Sequence, residues 1–408
     1  MLSEYRDLAV AQHSRRTLLK SIAGATLLAG AGSAGLAACS TAPATEAGLV
    51  GSEQWKTPVL NLGAKRYWQA AVDKASGAKL KGLFIGSSTA EGAVAKPWTA
   101  RLSSQLEKSI QASVNPDNPG GYSLRARDGA WTPIGDTLES PYDLGLRNRF
   151  LTAGSSIVHT SVQPVTGLQI LFLDGPEQSP FEVTIDDRDP IRVSPRSDTP
   201  RKSATGVWES PELDRGTHTF AIRALGPVSI GNTIFRDGDR DAGFSMYQAG
   251  HAGWSTMQFL EESAASMWER YAYLQPDLVL LGLGPNDRGI GVEPARFESH
   301  LRRMVTKIDQ LSEVKPWVVI VALHNTTLRG PAAWSGYMEA MQNVALTWAN
   351  VTYTSIFEFF PQVPGGFNDT DDYLSDDNIH LTSEGHSRAT QIIVEQLGLP
   401  RVPAWPAS

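Results

Sequence analysis

Short apolar runs alternate with longer periodic segments in two separate parts of the chain. Residues 81–85 are apolar after Lys81 and lead into small residues, which predicts a buried strand entering a tight turn. Apolar residues four apart, from Trp98 to Ile110, predict a helix over residues 98–112. The alternation returns further along, with predicted helices at 255–274, 294–311, 332–348 and 383–397 and predicted strands at 277–283, 317–323 and 351–354. This order is typical of an α/β fold in which a parallel sheet carries helices on both faces.

Between these two parts, the chain has a different pattern, in which short strands are predicted without helices. Strands are predicted, with turn residues between them, at residues 168–173, 181–185, 191–194, 217–225 and 228–235. A run of short strands without helices indicates an all-β sandwich. We therefore expect an α/β domain in two pieces, residues 66–115 and 241–400, interrupted by a β-sandwich insertion at 116–240.

The N-terminal segment is apolar in a way that predicts export. Residues 21–38 carry no charge and follow Arg15-Arg16, and the apolar stretch closes at Leu36-Ala37-Ala38-Cys39. The pattern predicts a twin-arginine signal peptide at residues 1–38 and a tether at 39–65. The closing run resembles a bacterial lipobox, which implies that Cys39 is acylated and anchors the protein to the outer face of the cell membrane, unless the protein is secreted. The alternative is a retained N-terminal membrane helix.

Composition narrows the classes of function. The chain has 408 residues and one Cys, so an internal disulfide is impossible. Its 36 Lys and Arg against 43 Asp and Glu make a formal net charge of −7, which argues against nucleic-acid partners. Acylation of Cys39 would also leave no thiol for catalysis.

Four loop segments carry residues of catalytic type. They are Gly86-Ser87-Ser88-Thr89, Ala249-Gly250-His251, Gly282-Leu283-Gly284-Pro285-Asn286 and Asp377-Asn378-Ile379-His380. Each segment alone is weak, because a Ser after Gly is commonly a turn residue and an Asp three residues before a His is common. Together they supply a nucleophile, a base with a carboxylate to orient it, and donors for an oxyanion, which are the parts needed for acyl transfer.

In this order the four segments resemble the blocks of the SGNH (GDSL-type) hydrolases. The resemblance implies a three-layer flavodoxin-like sheet, with Ser88 as nucleophile, His380 as base and Asp377 as its partner. It also implies an oxyanion hole formed by Ser88 N–H, Gly250 N–H and the Asn286 side chain, and no cofactor or metal. One position departs from the family, because Ser87 stands where its Asp precedes the serine. The spacing to Glu91 and Gly92 favours Ser88 over Ser87 as nucleophile.

Other candidate functional residues have a structural interpretation as well as a functional one. Asp237, Asp239 and Asp241 alternate like the start of a calcium loop, but the rest of that loop is missing, so we expect a solvated turn. His251 and Trp254 either line the pocket or pack in the core.

The β-rich insertion bears on the substrate. Family members with an added β-sandwich are often carbohydrate esterases, so the resemblance implies removal of acetyl or other short acyl groups from an acylated carbohydrate. The insertion either binds glycan or is a lid or packing domain with no ligand of its own. Two further alternatives stay open: a lipase, short-chain esterase or acyltransferase acting on lipid, and a glycan-binding surface lipoprotein with a vestigial site.

Overall fold

The computed structural model describes twelve stretches of the chain: residues 58–74, 79–114, 120–140, 148–195, 205–239, 241–261, 264–324, 333–360, 362–363, 367–368, 373–377 and 379–400. The expected signal peptide, Cys39 and most of the expected tether lie outside these residues. Among the helices of the described stretches, none is both long and apolar enough to cross a bilayer.

The first part of the chain contributes two strands and three helices. These are β1 (Val59–Leu60), α1 (Lys65–Lys74), β2 (Leu80–Gly86), α2 (Ser88–Glu91) and α3 (Leu102–Val114). The helix expected at 98–112 is divided, because Trp98–Ala100 forms a separate 3₁₀ turn and Arg101 is extended. Leu102, Leu106 and Ile110 are buried on one face of α3 as the spacing predicted, whereas Trp98 packs into the antiparallel part, where it stacks on Tyr122 at 5.0 Å.

The middle of the chain is built of antiparallel strands. They are β3 (Tyr122–Arg125), β4 (Thr132–Ile134), β5 (Thr137–Ser140), β6 (Asn148–Leu151), β7 (Ser156–Thr160), β8 (Gly167–Leu173), β9 (Phe181–Ile185), β10 (Ile191–Val193), β11 (Thr205–Glu209), β12 (Thr219–Ala224) and β13 (Val228–Arg236). One sheet has the order β10-β9-β12-β7-β4 and the other β11-β8-β13-β6-β5, with β3 also paired to β13. A shared apolar core includes Phe172, Phe181, Phe220 and Phe235.

The last part returns to alternating strands and helices. Its elements are β14 (Phe244–Gly250), α4 (Thr256–Leu260), α5 (Ala265–Leu274), β15 (Leu278–Gly282), α6 (Pro285–Gly289), α7 (Pro294–Leu311), β16 (Trp317–Ala322), α8 (Trp334–Thr347), β17 (Val351–Ser355), β18 (Gln362–Val363), β19 (Phe367–Asn368) and α9 (Ser383–Gln396). The helix expected over 255–274 is two helices, because Glu261 is extended and ends α4.

The parallel sheet has the order β1-β17-β16-β15-β2-β14. All neighbours are parallel except β1, which runs antiparallel to β17. Apolar residues of α5, α7 and α8 form a core with one face of the sheet, and those of α1, α3 and α9 form a second core with the other. The expected mixed α/β architecture is therefore present, with parallel and antiparallel sheets in one compact unit, residues 51–408.

Two segments differ from the sequence-based expectation. Residues 58–65 were assigned to the tether, but Val59 and Leu60 pair with β17 and Asn61 Nδ2 donates to Val351 O at 2.8 Å, so they belong to the folded unit. Gly250 was expected in a turn and is instead the last residue of β14. That strand escaped prediction because it buries polar Ser245 and Gln248, and Gln248 Nε2 donates to Ser123 O at 3.3 Å.

Candidate active site

Three glycines end three neighbouring strands in register. Gly250 of β14 is paired with Gly86 of β2, and Gly86 is paired with Gly282 of β15. Because parallel strands place their carboxyl ends at one edge, the segments that follow these glycines start side by side. The structure thus brings together the first three of the four predicted segments, and with them Ser88, Gly250 and Asn286.

The backbones at this edge approach too closely for any side chain at Gly250. A Cβ there would lie 2.3 Å from Glu91 N and 2.6 Å from Ala90 C. Gly86 is similarly restricted, since its Cβ would lie 2.6 Å from Ala90 Cβ. The end of β14 therefore lies directly against the short helix α2 that carries Ser88.

Ser88 is the first residue of α2 and is 8% exposed. Ser87 is the N-cap residue, is 3% exposed, and its side chain makes no capping hydrogen bond. The main chain of Ser87 is held instead by Gly282, whose carbonyl accepts from Ser87 N at 3.2 Å. Both serines are buried, and Ser88 is slightly the more exposed residue of the two.

Asp377 and His380 form a short hydrogen bond, with Nδ1 and Oδ2 2.6 Å apart. The other carboxylate oxygen, Oδ1, accepts from His380 N at 3.0 Å, Ile379 N at 2.9 Å and Ser375 Oγ at 2.7 Å. Partial burial alone would raise the pKa of Asp377, but these hydrogen bonds outweigh it and hold that pKa well below its usual range. A carboxylate that stays ionised can keep the proton of the imidazole on Nδ1.

The far nitrogen of this imidazole is open. Within the described stretches neither His380 Nε2 nor Ser88 Oγ has a hydrogen-bond partner, and the His380 side chain is 25% exposed. Catalytic hydrogen bonds are often long before substrate binds, so this geometry is compatible with a serine and base that meet during reaction.

The fourth segment is tied to the same edge by contacts on both sides. His324, just after β16, is buried, which lowers its pKa to about 4, so the neutral ring donates from Nε2 to Ile379 O at 2.9 Å. On the other side Ser383 Oγ donates to Lys96 O at 2.7 Å, in the loop that follows α2. Both contacts flank His380 and restrict its position.

Asn286 lies in α6, four residues after Gly282, and is half-buried. One hydrogen of its Nδ2 group donates to Trp254 O at 2.8 Å, which orients the amide and leaves its second N–H for another acceptor. Its neighbour Asp287 is fully buried, which raises the pKa of that carboxyl to about 6 despite hydrogen bonds from Thr256. Asp287 therefore ties α6 to the start of α4.

A buried arginine from the antiparallel part braces the site. Arg125, at the end of β3, donates from Nη1 to Gly250 O at 3.1 Å and from Nη2 to Glu91 O at 2.9 Å. Asp128 accepts from the same guanidinium at 2.9 Å and contacts Arg101 at 2.8 Å. Burial would raise the pKa of Asp128, but the two arginines hold that pKa far below its usual range. The last carbonyls of α2 and of β14 are thus both held by one side chain of β3.

Sequence patterns did not identify this brace. Arg125 and Asp128 lie in a short polar stretch, Arg125-Ala126-Arg127-Asp128, that reads as an ordinary loop. Glu91 was noted only for its spacing from Ser88, yet its carboxylate accepts from Ala252 N and pairs with Arg127, both at 2.5 Å. The sequence offers two signals for this brace. One is an acidic residue, Glu91, in a turn of small residues, and the other is the pair of basic residues Arg125 and Arg127 far along the chain.

The remaining sequence candidates have structural partners. His251 stacks on Trp254 with ring centroids 4.2 Å apart and is 8% exposed, so the two lie together beside Gly250. Asp237 was expected in a solvated turn, but it is buried and paired with Arg215 at 2.6 Å. Within the described residues no group of three or more His, Cys, Asp or Glu side chains is placed to hold a metal ion.

A comparison with protein families gives a match that covers the last part of the chain. The GDSL-like Lipase/Acylhydrolase family matches residues 235–388, which include Gly250, Asn286, Asp377 and His380. No curated protein matches the chain in sequence. The match gives the class of this part of the chain: residues 235–388 resemble a GDSL-like lipase/acylhydrolase domain, which supports a carboxylic ester hydrolase.

Three solved structures match this chain over most of its length and are compared by TM-score, identity and coverage. A peptidoglycan O-acetylesterase is similar with a TM-score of 0.63 and 16% identity, over 83% of this chain and 98% of that chain. A two-domain esterase active on acetylated mannans has a TM-score of 0.43 and 12% identity, over 84% of this chain and 57% of its own. A family two carbohydrate esterase from Cellvibrio japonicus has a TM-score of 0.29 and 13% identity, over 68% and 96%. Only the first similarity is strong enough to show a shared fold.

Proposed function

We propose that this protein is an extracytoplasmic serine esterase that removes acetyl groups from a carbohydrate through an acyl-enzyme. The observation that carries the proposal is the edge at which Gly86, Gly250 and Gly282 end in register, with Ser88 beside it. The Asp377–His380 pair, whose Nε2 is open, is tied to the same edge through His324 and Ser383.

Each group has a defined role in the reaction. Ser88 Oγ attacks the ester carbonyl while His380 Nε2 takes its proton, and Asp377 stabilises the resulting imidazolium. The oxyanion accepts hydrogen bonds from Ser88 N–H, Gly250 N–H and the second N–H of Asn286. The imidazolium then protonates the departing sugar oxygen. Water, deprotonated by the same imidazole, attacks the acyl-enzyme, and the imidazolium returns this proton to Ser88 Oγ as the acetyl group leaves as acetic acid.

The proposal also includes a specific assignment of the two parts of the fold. We infer that the α/β part is the three-layer SGNH hydrolase domain, and that the two antiparallel sheets form a jelly-roll-like insertion at about residues 116–240. Their packing around one apolar core supports the sandwich. The Arg125 contacts support a structural role for it at the site, whether or not it also binds glycan.

An acetylated glycan of the cell envelope is the substrate class that we favour. The fold is shared with a peptidoglycan O-acetylesterase over 83% of this chain and 98% of that chain. A wide, partly polar cleft beside the site, described below, suits a polymer better than a lipid tail.

Export as a twin-arginine lipoprotein completes the proposal and has its own test. Metabolic labelling with a fatty acid should mark the wild-type protein and leave Cys39→Ala unlabelled. Ser40→Ala, the adjacent substitution, should retain the label. Label that persists in Cys39→Ala would exclude the lipid anchor.

The catalytic assignment is tested by a pair of adjacent serines. Ser88→Ala should lower kcat for nitrophenyl acetate by roughly 10⁴-fold or more, since removal of a triad nucleophile leaves only binding and oxyanion stabilisation. Ser87→Ala, the matched control, should stay within about tenfold because the Ser87 side chain makes no capping bond. Equal loss in both variants, or none in Ser88→Ala, would refute the assignment.

The acyl preference is measured on the same protein. Nitrophenyl acetate should be hydrolysed much faster than nitrophenyl palmitate, and acetate should be released from acetylated glycan. Preference for palmitate would replace the deacetylase assignment by a lipase. Transfer of acetyl to an added sugar in place of hydrolysis would indicate an acyltransferase.

A further inference from the structure

A large cleft adjoins the proposed active site on the side of the antiparallel sheets. It has a volume of about 1000 Å³. One wall is the loop that follows α2, from Glu91 to Trp98, and the other includes residues 125–130 and parts of β4 and β7. Neither Ser88 nor His380 lines it, so the cleft is a space next to the reacting groups.

Two contacts connect this cleft to the proposed catalytic groups. At one end Ala252, two residues after Gly250, lines the cleft and donates its N–H to Glu91 at 2.5 Å. At the other end Lys96 lines the cleft, and its main chain exchanges hydrogen bonds with Ser383 Oγ, three residues after His380. A polymer with an ester at Ser88 could therefore extend directly into this space.

The charge of the cleft is opposite to that of the protein. The chain has a formal net charge of −7, yet six charged side chains line the cleft: four basic and two acidic, namely Lys96, Arg101, Arg125, Arg127, Glu91 and Asp128. His159 in the wall adds no charge, because burial lowers its pKa. Excess positive charge in a concave region of an acidic protein attracts an anion specifically to that region.

The basic side chains are not equivalent. Arg101 and Arg125 contact Asp128, and Arg127 contacts Glu91 at 2.5 Å. The Lys96 side chain is exposed at the cleft and makes no ion pair with any carboxylate of the described stretches. Its main chain is held by Ser383, so the flexible Lys96 side chain extends from a fixed point beside the site.

We propose that this cleft binds a carboxylate of the acylated glycan, with Lys96 as its main cationic contact, so that the substrate is an acidic polysaccharide. This inference rests on the proposed esterase function and specifies its substrate. A carboxylate on the sugar ring and a carboxylate on an ether-linked lactyl substituent have the same chemistry, and either would be recognised.

Binding is tested first, separately from turnover. The full-length Ser88→Ala protein in detergent is titrated calorimetrically with oligogalacturonate, with peptide-free peptidoglycan glycan strands, and with neutral mannopentaose. Either acidic probe should bind at least about tenfold more tightly than mannopentaose at low salt, a preference that weakens as salt is raised. The stronger acidic probe identifies the position of the carboxylate. Equal binding of all three, or binding of mannopentaose alone, would overturn the proposal.

Turnover supplies the second test, through a ratio of substrates. The kcat/KM for acetylated polygalacturonate divided by that for acetylated mannan should fall roughly five- to tenfold in Lys96→Gln, as expected for loss of one charge-assisted contact. Lys74→Gln, an exposed lysine of α1 outside the cleft, should leave the ratio unchanged. An equal ratio in wild type, Lys96→Gln and Lys74→Gln would refute the role of Lys96.

The two proposals fail differently. If no ester is hydrolysed, but the acidic probes still bind to the Ser88→Ala protein, the esterase function is wrong and the anion cleft stands. If both acetylated polymers are hydrolysed equally well, the esterase stands and the acidic substrate is wrong.

Discussion

The described stretches contain two histidine–aspartate pairs, one at the edge of the parallel sheet and one in the antiparallel part. Nδ1 and Oδ2 are 2.6 Å apart in His380–Asp377 and 2.8 Å apart in His218–Asp186. The difference lies at the far nitrogen. His218 Nε2 is 2.8 Å from Asp214 O, whereas His380 Nε2 has no partner among the described residues.

This difference separates a pair with a structural role from the pair that we propose to be catalytic. Both nitrogens of His218 face acceptors, so the ring is held as an imidazolium that joins two turns, and its side chain is only 10% exposed. His380 has one nitrogen held and one free to exchange a proton, which is the arrangement that a general base requires. The pairing of a histidine with an aspartate is therefore not diagnostic by itself.

The largest expected effect distinguishes the two pairs directly. His380→Ala should lower kcat for nitrophenyl acetate by roughly 10⁴-fold with little change in the thermal unfolding midpoint. His218→Ala should leave kcat near the wild-type value and lower the free energy of unfolding by about 1–2 kcal/mol, the cost of lost hydrogen bonds. The comparison breaks if His218→Ala abolishes turnover in protein that is still folded.

The second-largest expected effect comes from Arg125, which joins the antiparallel part to the edge of the parallel sheet. Arg125→Met removes the donors to Gly250 O and Glu91 O and leaves Asp128 with one fewer partner, so the free energy of unfolding should fall by about 3–5 kcal/mol. Displacement of the oxyanion donors should also lower kcat roughly 10²-fold.

Matched variants separate these two consequences. Arg270→Met removes another buried arginine, which contacts Phe172 O of the antiparallel sheets away from the site. It should destabilise the protein while the folded fraction keeps its kcat. Arg125→Lys should recover part of kcat, and a kcat for Arg125→Met equal to that of Arg270→Met would show that Arg125 has only a structural role.

The smallest effect is a pH dependence of stability that differs between the pairs. Burial would lower the pKa of His218, but the hydrogen bonds to Asp186 and Asp214 outweigh it and raise that pKa above its usual 6.5. The stabilisation should be complete below about pH 6.5 and lost as pH rises through the folded pKa. For Asp377, whose pKa is lowered, the stabilisation should instead be present above about pH 4 and lost as pH falls.

Urea unfolding at several pH values tests the direction in which each pair changes stability with pH. The stability difference between wild type and His218→Gln should be about 1 kcal/mol at pH 6, since the pair is partly screened by solvent, and should shrink toward pH 9. A difference that grows with pH would show that His218 is neutral in the folded protein. Asp377→Asn provides the opposite case, with its largest deficit near neutral pH and the smallest in acid.

Much of the α/β part could be predicted because its signals are local. Apolar runs such as residues 317–323 correspond to buried strands within a residue or two, and helix α7 has the predicted ends, Pro294–Leu311. The antiparallel strands were predicted less completely. The short β4 is exposed throughout, and it exists because its main chain pairs with β7, a feature without an apolar pattern.

The side-chain contacts show the same contrast between local and long-range signals. The three-residue spacing of Asp377 and His380 is a local property, and a single turn of chain is enough to bring the two side chains together. The His218–Asp186 pair spans 32 positions and the Arg125–Gly250 contact spans 125, so neither leaves a trace in sequence spacing.

The sequence alone thus determined the identity and order of the groups suited to acyl transfer, because residue type and short spacing specify chemistry. Only the tertiary structure decided where those groups lie relative to each other. The register of three parallel strands aligns the glycines, and a buried arginine from another sheet holds two of the carbonyls beside Ser88. Strand register and buried ion pairing depend on contacts between distant parts of the chain, which are specified by packing of the whole molecule.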